Sequence, residues 1–332
     1  MSALITAERQ SFWQDRPTLV TGATGLLGAW LTRTLIDLGA DVVALIRDNV
    51  PHSELVRSGT VHEVKSVTGS VTDLDLMCRV FSDYEIDTCF HLAAQTQVGI
   101  ANRMPVPTFE SNIRGTWNVL EAARLWPETN RVIVASSDKA YGVQAELPYN
   151  EHTPLEGRHP YDVSKSCADL IAQSYAHTFD LPVAVTRCGN MFGGGDLNWH
   201  RIVPGVLRWA IRGEQPVIRS DGTLRRDYIY VLDVVDAYLT LAEAMVDGAY
   251  TGAAYNFGLN RPLSVMEITQ HILAISPHPT LEPVVLGEAK NEIKDQYLDS
   301  SRAAADLDWA PVYSLEEGLK ETLAWYTTYL NT

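Results

Sequence analysis

The chain reads as an α/β protein with a doubly wound parallel sheet and a smaller, discontinuous C-terminal substrate-binding domain, and three observations predict it. Short, largely apolar runs recur at Thr18–Val20, Asp41–Ile46, Thr88–Leu92 and Arg131–Ala135, the pattern of strands buried on both faces. Segments of helical spacing separate them, as in Trp30, Leu31, Leu35, Ile36 and Leu38, so each strand is followed by a crossover that returns the chain parallel to it. The first strand runs into Thr21-Gly22-Ala23-Thr24-Gly25-Leu26-Leu27-Gly28 and then into a helix, which is a strand–turn–helix unit closed by glycine.

Taken in order, residues 1–16 carry Glu8 and Asp15 and lack the apolar centre of a signal peptide. Helices are expected over Thr108–Leu125 and Tyr161–Phe179, each with more than one apolar face. Such helices suit burial against the sheet on one side and a second subunit on the other, so a homodimer is expected. Val183–Thr186 reads as a further strand. Between Gly189 and Gly222 the alternation gives way to glycine, proline and tryptophan, Tyr228–Val235 returns to the first domain, and from Pro262 onward the chain is again irregular and helical. The expected division is 1–187 with 223–258 for a nucleotide-binding domain, and 188–222 with 259–332 for a substrate-binding domain.

A chain of 332 residues with 46% apolar content can bury a large core. Its net charge of −15, from 41 acids against 26 bases without a basic run, lacks the electrostatic footprint of a nucleic-acid binder. Cys78, Cys89, Cys167 and Cys188 lie far apart, without a C-x-x-C pair or zinc-ligand spacing, and read as reduced thiols of a cytoplasmic protein without a metal site. No run of about 18 uncharged apolar residues occurs, so no membrane span is expected.

In the turn Gly22 to Gly28, with Thr24, Leu26 and Leu27, bare backbone lets a pyrophosphate approach the unpaired N–H groups of the helix that follows. A dinucleotide is the expected ligand. The second strand ends in Ile46-Arg47-Asp48, where an acid would bind the adenosine ribose of NAD and a base the 2′-phosphate of NADP. Arg47 argues for the second and Asp48 for the first, and both also read as solvated loop charges. Ser70 and Val71 after a turn, and Leu92, Ala93 and Ala94 after the Thr88 strand, complete the cofactor-binding candidates.

Tyr161 and Lys165 stand four apart in Y-D-V-S-K, and Ser137 lies 24 residues before the tyrosine in Ser136-Ser137-Asp138-Lys139-Ala140-Tyr141-Gly142. A tyrosine, with a reference pKa of about 10, needs nearby positive charge to act as a base near neutrality. Lys165, one helical turn on, is placed to supply it. The Y-x-x-x-K spacing alone is common on helix surfaces, but here it shares a chain with the glycine turn.

Together, T-G-A-T-G-L-L-G and Y-D-V-S-K resemble the extended short-chain dehydrogenase/reductase family, the sugar-nucleotide epimerases and dehydratases, over nearly the whole chain. The resemblance implies a Rossmann fold, NAD with NADP as the alternative, and a nucleotide-sugar substrate. It implies that Lys165 holds the nicotinamide ribose and that Ser137 hydrogen-bonds the sugar 4-hydroxyl. It favours NAD even though Ser70 stands where relatives often place an acid facing adenine.

The two residues after Ser137 are small or neutral in 4-epimerases of the family, and an acid followed by glutamate or lysine in 4,6-dehydratases. Here they are Asp138 and Lys139. Loss of water across C5–C6 needs a base for the C5 proton and an acid for the departing O6 hydroxyl, and Lys139 and Asp138 are assigned those roles. Lysine, with a reference pKa of about 10.4, needs desolvation and like charge from Lys165 and the oxidised nicotinamide to serve as a base.

Phe12-Trp13, Gly28-Ala29-Trp30-Leu31, His91-Leu92-Ala93-Ala94-Gln95, Ser137-Asp138-Lys139 and Gly189-Asn190 running into Gly193-Gly194-Gly195-Asp196 look like the CDP-glucose 4,6-dehydratases in particular. Those relatives carry R-P-W-Q-H where this chain has Arg226-Asp227-Tyr228-Ile229-Tyr230-Val231, the form found across epimerases and other dehydratases. For the substrate, Arg201 and Arg226 are the candidates for the diphosphate, since guanidinium matches phosphate bidentately, and Gln95 and Asn190 are further contacts. Asn112 reads as a buried support of the site, Trp199 and Tyr255 as core, and His91 and His159 carry no catalytic assignment. The expected activity is a redox-neutral 4,6-dehydratase. A 4-epimerase acting on a UDP-hexose or uronate is the alternative, and a non-catalytic dinucleotide sensor, which could dispense with Tyr161 or Lys165, is the rival of another class.

Overall fold

The computed structural model describes residues 4–288 and 293–331. Strands β1 (Pro17–Thr21), β2 (Asp41–Ile46), β3 (Lys65–Thr68), β4 (Thr88–His91), β5 (Arg131–Ala135) and β6 (Val183–Cys188) form one sheet with the later β11 (Ala254–Phe257), in the order β11-β6-β5-β4-β1-β2-β3. Every neighbouring pair in it runs parallel. The chain reverses its direction of travel across the sheet between β1 and β4, the place at whose carboxyl-end side sheets of this kind bind ligands.

Side chains alternate across each strand, and both faces are buried. Val20, Phe90 and Ile133 enter one core with α1 (Ala7–Trp13), α2 (Leu26–Asp37) and α10 (Val231–Ala244). Leu19, Cys89 and Val132 enter the other with α4 (Leu74–Asp83), α7 (Gly115–Leu125) and α8 (Pro160–Phe179). This is why those strands read as unbroken apolar runs. β3 is the exception: an edge strand with two of its first three residues exposed, its Lys65-Ser66 composition suits solvent and gave no apolar signal.

The remaining elements on the first lobe are α3 (Glu54–Arg57), α5 (Val98–Arg103) and α6 (Pro105–Phe109). The expected single helix over Thr108–Leu125 is interrupted: α6 ends at Phe109, a π-helical turn spans Glu110–Arg114, and α7 begins at Gly115. A π turn widens the helix by one residue, and it directs Asn112 inward, where the residue is buried.

The other lobe is built from short pieces. β7 (Asn190–Phe192) pairs with β10 (Tyr228–Tyr230), β8 (Val217–Ile218) with β13 (Val284–Val285), and β9 (Arg225–Arg226) lies between β12 (Leu263–Ser264) and β14 (Asp295–Gln296). Around them pack α9 (Ile202–Arg212), α11 (Val265–Ile275), α12 (Ser301–Leu307) and α13 (Leu315–Asn331). Trp325 of α13 reaches back to the first lobe and donates to Glu54 Oε2 at 2.9 Å, while Trp30 donates to Gly194 O at 2.7 Å. A Cβ on Gly194 would lie 2.3 Å from Trp325 Cγ, so only glycine admits this closure.

Candidate active site

The first βα turn is shaped for a phosphate group. Gly22 has φ of +77°, and a Cβ there would lie 2.8 Å from Ala93 N; one on Gly28 would lie 2.1 Å from Gly22 O. The turn after β1 therefore packs backbone to backbone against the segment after β4. The N-terminus of α2 has no side-chain cap at Gly25 and no acid in its first turn, leaving its N–H groups to an anionic ligand. Thr24, Leu26 and Leu27 complete this rim, with Leu92, Ala93 and Ala94 opposite it. These groups fit the pyrophosphate of a dinucleotide.

A buried hydrogen-bond chain fixes the two turns together. Thr21 Oγ1 accepts from Leu92 N at 3.1 Å and Ala93 N at 3.2 Å, so its own proton goes to His91 Nδ1 at 2.9 Å. His91 Nε2 then donates to Thr116 Oγ1 at 3.1 Å, which donates to Asn112 O at 2.6 Å. Burial, with Lys165 nearby, pushes His91 down to about 3; it is a neutral structural histidine.

The outer candidates for the cofactor lie at the other strand ends. Arg47 and Asp48 follow β2, both exposed, and pair with each other, Arg47 Nε donating to Asp48 Oδ2 at 2.7 Å. Ser70 Oγ accepts from Thr72 N at 3.2 Å, and Val71 is buried with its carbonyl accepting from Asn118 Nδ2 at 3.0 Å.

Asn112 joins three elements. Its Oδ1 accepts from Gln95 N at 2.7 Å, and its Nδ2 donates to Gln95 O at 3.0 Å and to Ser164 Oγ at 2.9 Å. Ser164 in turn donates to Tyr161 O at 2.7 Å. The asparagine thus pins the Gln95 segment to the first turn of α8, which carries Tyr161 and Lys165.

Tyr161 is 9% exposed and Lys165 5%. Lys165 Nζ donates to Ala135 O at 2.6 Å, at the end of β5; it is braced by the sheet rather than engaged with the phenol. Burial lowers Lys165 to about 8, which leaves it charged at neutral pH. Burial raises Tyr161 to about 12; Arg201 opposes this, Asp138 adds to it, and a hydrogen bond with Ser137 opposes it. In this environment the phenol is protonated, and ionising it calls for a further positive charge beside it.

Ser137, Asp138 and Lys139 leave β5 on a 3₁₀ turn, Asp138–Tyr141, capped by Ser137, whose Oγ accepts from Lys139 N at 3.3 Å. Ser137 Oγ donates to Asp138 Oδ1 at 3.0 Å. Asp138 is 2% exposed, and its Oδ2 has no hydrogen-bond partner among the described residues. Lys139 Nζ donates to Gln296 Oε1, and Gln296 Nε2 donates to Asp138 O at 3.1 Å. Burial raises the neighbouring Asp162, and Lys139 opposes that shift, which places the amine near the first turn of α8.

Below the turn lies a second polar network. Arg187 and Asp169 form a bidentate pair, Nε to Oδ2 at 2.8 Å and Nη2 to Oδ1 at 2.9 Å. Arg187 Nη1 also donates to Tyr141 Oη at 2.9 Å, and Tyr141 donates to Asn256 Oδ1 at 2.7 Å.

Of the substrate candidates, Arg201 stands at the start of α9, pairs with Asp196 at 3.1 Å and acts electrostatically on Tyr161. Arg226 is buried and donates to the carbonyls of Arg225, Ile293 and Lys294 at 2.7, 2.6 and 3.0 Å, so it holds the strand that carries Gln296. Asn190 is half-buried on β7, opposite Tyr228. Trp199 packs on Tyr326 and Tyr255 on Phe257, as core residues do. Gln296, Asn256, Arg187 and Asp169 were not singled out from the sequence. Each acts across a long sequence separation, and a buried charge such as Arg187 amid the apolar run Val183–Cys188 was the one visible signal.

Among the described residues no helix is long and apolar enough to cross a membrane, and no cluster of three metal-ligating side chains occurs. Comparison with known proteins supplies the relationship. The family model described as GDP-mannose 4,6 dehydratase matches residues 19–322. The CDP-glucose 4,6-dehydratase of Salmonella typhimurium is 29% identical, covering 97% of this chain and 93% of that protein. A dTDP-glucose 4,6-dehydratase of Xanthomonas campestris is 28% identical over 93% of each. Among solved structures, a UDP-glucose 4-epimerase of Thermotoga maritima with UDP-glucose superposes with a TM-score of 0.85 at 29% identity, covering 94% of this chain and 99% of that one. A dTDP-glucose 4,6-dehydratase from Streptomyces venezuelae with NAD bound gives 0.82 at 25% identity, covering 95% and 98%. With the glycine turn, the Tyr161–Lys165 helix and a family match running almost end to end, the chain belongs to the GDP-mannose 4,6-dehydratase family of extended short-chain dehydrogenase/reductases.

Proposed function

We propose that the chain is an NAD-dependent nucleotide-sugar 4,6-dehydratase, which converts a nucleoside-diphosphate hexose to its 4-keto-6-deoxy form with loss of one water. The observation that carries this reading is the turn after β5: an acid and an amine, Asp138 and Lys139, on consecutive residues beside Tyr161, with Asp138 Oδ2 buried and unpartnered among the described residues. A 4-epimerase needs no such second acid/base pair.

NAD would be held by Gly22, Thr24, Gly25, Leu26, Leu27 and Gly28 at the pyrophosphate, by Leu92, Ala93 and Ala94, by Tyr161 and Lys165 near the nicotinamide, and by Asp48, Ser70 and Val71 toward the adenosine. When bound it supplies the electron-pair acceptor for C4 and the donor for C6. Tyr161 takes the proton of the 4-hydroxyl, with Ser137 orienting that oxygen. Lys165 and Arg201 favour its ionisation, the further positive charge that the buried phenol needs being that of the oxidised nicotinamide. Lys139 then takes the C5 proton, now acidic beside the C4 carbonyl, and Asp138 gives its proton to the O6 hydroxyl, which departs as water; the proton that Tyr161 took then restores Asp138, with Ser137 Oγ between the two. Lys139 returns a proton to C5 as C6 is reduced. Arg201 and Arg226, with Gln95 and Asn190, are proposed to face the substrate, Arg201 meeting the diphosphate directly.

The mutual pairing of Arg47 with Asp48 offsets the guanidinium's charge and favours NAD over NADP. The segments 188–222 and 259–332 are assigned to the substrate, with 1–187 and 223–258 holding the cofactor. Likeness to the Salmonella CDP-glucose enzyme makes CDP-glucose the first substrate to try. Four free thiols suit a cytoplasmic setting. Exposed Trp117 and Leu125 on α7 with Leu170 and Phe179 on α8 form a face suited to the same face of a second copy, a homodimer.

The second reading, a 4-epimerase, is favoured by the Arg226–Val231 segment and by the likeness to the Thermotoga UDP-glucose 4-epimerase. Mass spectrometry of reactions in D2O separates the two, with CDP-glucose, dTDP-glucose, UDP-glucose, UDP-glucuronate and GDP-mannose offered in turn. Loss of one water with deuterium at C5 is expected. An unlabelled isomer of unchanged mass would establish the epimerase instead. Lys139→Ala should still permit oxidation at C4 but stop C5 exchange.

A further inference from the structure

We infer that Gln296 is a positioning residue for Lys139, an uncharged acceptor from the C-terminal lobe that aims the amine while favouring its charged form less than a carboxylate would; this rests on the dehydratase reading. Gln296 is fully buried. It sits on β14 opposite Arg226 of β9. Just after it, Tyr149 N donates to Tyr297 O at 2.9 Å and Asp299 N donates to Tyr149 O at 2.8 Å. Tyr149 Oη also donates to Gly142 O at 2.8 Å. The segment is therefore stitched on both flanks, and the carboxamide is delivered to the catalytic turn by backbone pairing.

That carboxamide spans two consecutive residues of the turn. Its Oε1 accepts from Lys139 Nζ and its Nε2 donates to the Asp138 carbonyl. With a carbonyl on one side and an amine on the other, only one orientation of the amide satisfies both. Among the described residues, the charged groups near Lys139 include Asp138 on its own turn and Asp162 on α8, with Arg226 on β9 beside Gln296.

A lysine can take a proton only as the neutral amine. A carboxylate in place of Gln296 would stabilise the ammonium and lift its pKa by about 1–3 units, as an opposite charge at this range does. An apolar side chain would leave the amine's direction unfixed. Glutamine accepts from the amine in either protonation state, so it sets direction without adding a further counter-charge.

The test follows C5 deuterium exchange and water loss against pH in wild type, Gln296→Glu and Gln296→Ala, with Lys139→Ala and the Lys139→Ala/Gln296→Ala double variant. The Gln296→Glu profile should move to higher pH by about one unit or more. Gln296→Ala should lower kcat by about 10- to 100-fold, the scale of a misplaced catalytic group, with KM little changed. C4 oxidation, which Lys139→Ala retains, should be unchanged when Gln296→Ala is added, because the glutamine acts through the amine. A pH limb unmoved in folded Gln296→Glu, or C4 oxidation that falls in the double variant relative to Lys139→Ala, would overturn the inference. Should the glutamate variant fail to fold, the comparison of C4 oxidation with C5 exchange across the alanine variants decides. Wild-type protein that releases no water from any nucleotide sugar would overturn the dehydratase reading itself, a result distinct because it precedes every variant.

Discussion

Burial pushes the Asp227 carboxyl up to about 6, with Asp138 adding to the rise. Its Oδ1 accepts from Leu259 N at 3.0 Å, and Oδ2 has no hydrogen-bond partner among the described residues. The folded value exceeds the usual carboxylate value of about 3.9. From about pH 4 to 6 the folded chain therefore holds a proton that the unfolded chain has released, and stability falls as pH rises through that window. Asp227→Asn removes the titration, so its Tm should exceed that of wild type at pH 8, by an equivalent of about 1–3 kcal/mol, and the difference should close by pH 4. Thermal melts across that range check this. No sequence pattern announces such an environment. The glycine turn and Tyr161 with Lys165 were legible because their meaning is local, a few residues along one helix or turn. Even there the reading stopped at spacing: Lys165 lies one helical turn from Tyr161 as expected, yet its amine points to Ala135 O, a direction set by side-chain torsions and the sheet end beneath it.

The 3₁₀ turn that presents Asp138 and Lys139 is braced from below by the Arg187–Asp169 pair, both side chains at most 3% exposed. Removing one partner of a buried pair strands the other's charge, at a cost of about 3–5 kcal/mol. Asp169→Ala should lower the urea midpoint accordingly, and at permissive temperature it should lose activity out of proportion to substrate binding, because Arg187 also positions Tyr141 within the turn. Strands β1, β2, β4, β5 and β6 could be read in advance because two apolar faces leave a continuous signal. β3 could not, because an edge strand with Lys65 and Ser66 outward has no apolar run. The π turn at Glu110–Arg114 was hidden too: it inserts one residue into an otherwise helical pattern, and only the partners Gln95 and Ser164 explain why Asn112 must turn inward.

Two lobes built so differently were not equally visible. The parallel sheet repeats one unit, and a repeating unit can be recognised. The C-terminal lobe is assembled from two- and three-residue strands whose partners lie far apart in the chain, such as β9 with β12 and β14, and no short window contains such pairings. The exposed apolar face of α7 and α8 is where the proposed homodimer would meet. Leu170, 54% exposed, and Trp117, 42% exposed, leave that face open in one chain. Leu170→Lys should convert a sedimenting dimer to a monomer of unchanged circular dichroism, whereas a wild-type monomer at micromolar concentration would remove the homodimer. The bond from Lys139 to Gln296 carries a consequence for how such proteins can be recombined. The amine belongs to the lobe proposed to hold the cofactor, and its partner to the lobe proposed to recognise the sugar. A substrate lobe grafted from a relative would bring its own neighbour for Lys139, so a graft chosen to change which sugar is accepted would also reset how readily the C5 proton is removed; in this fold, substrate choice and reactivity are inherited together.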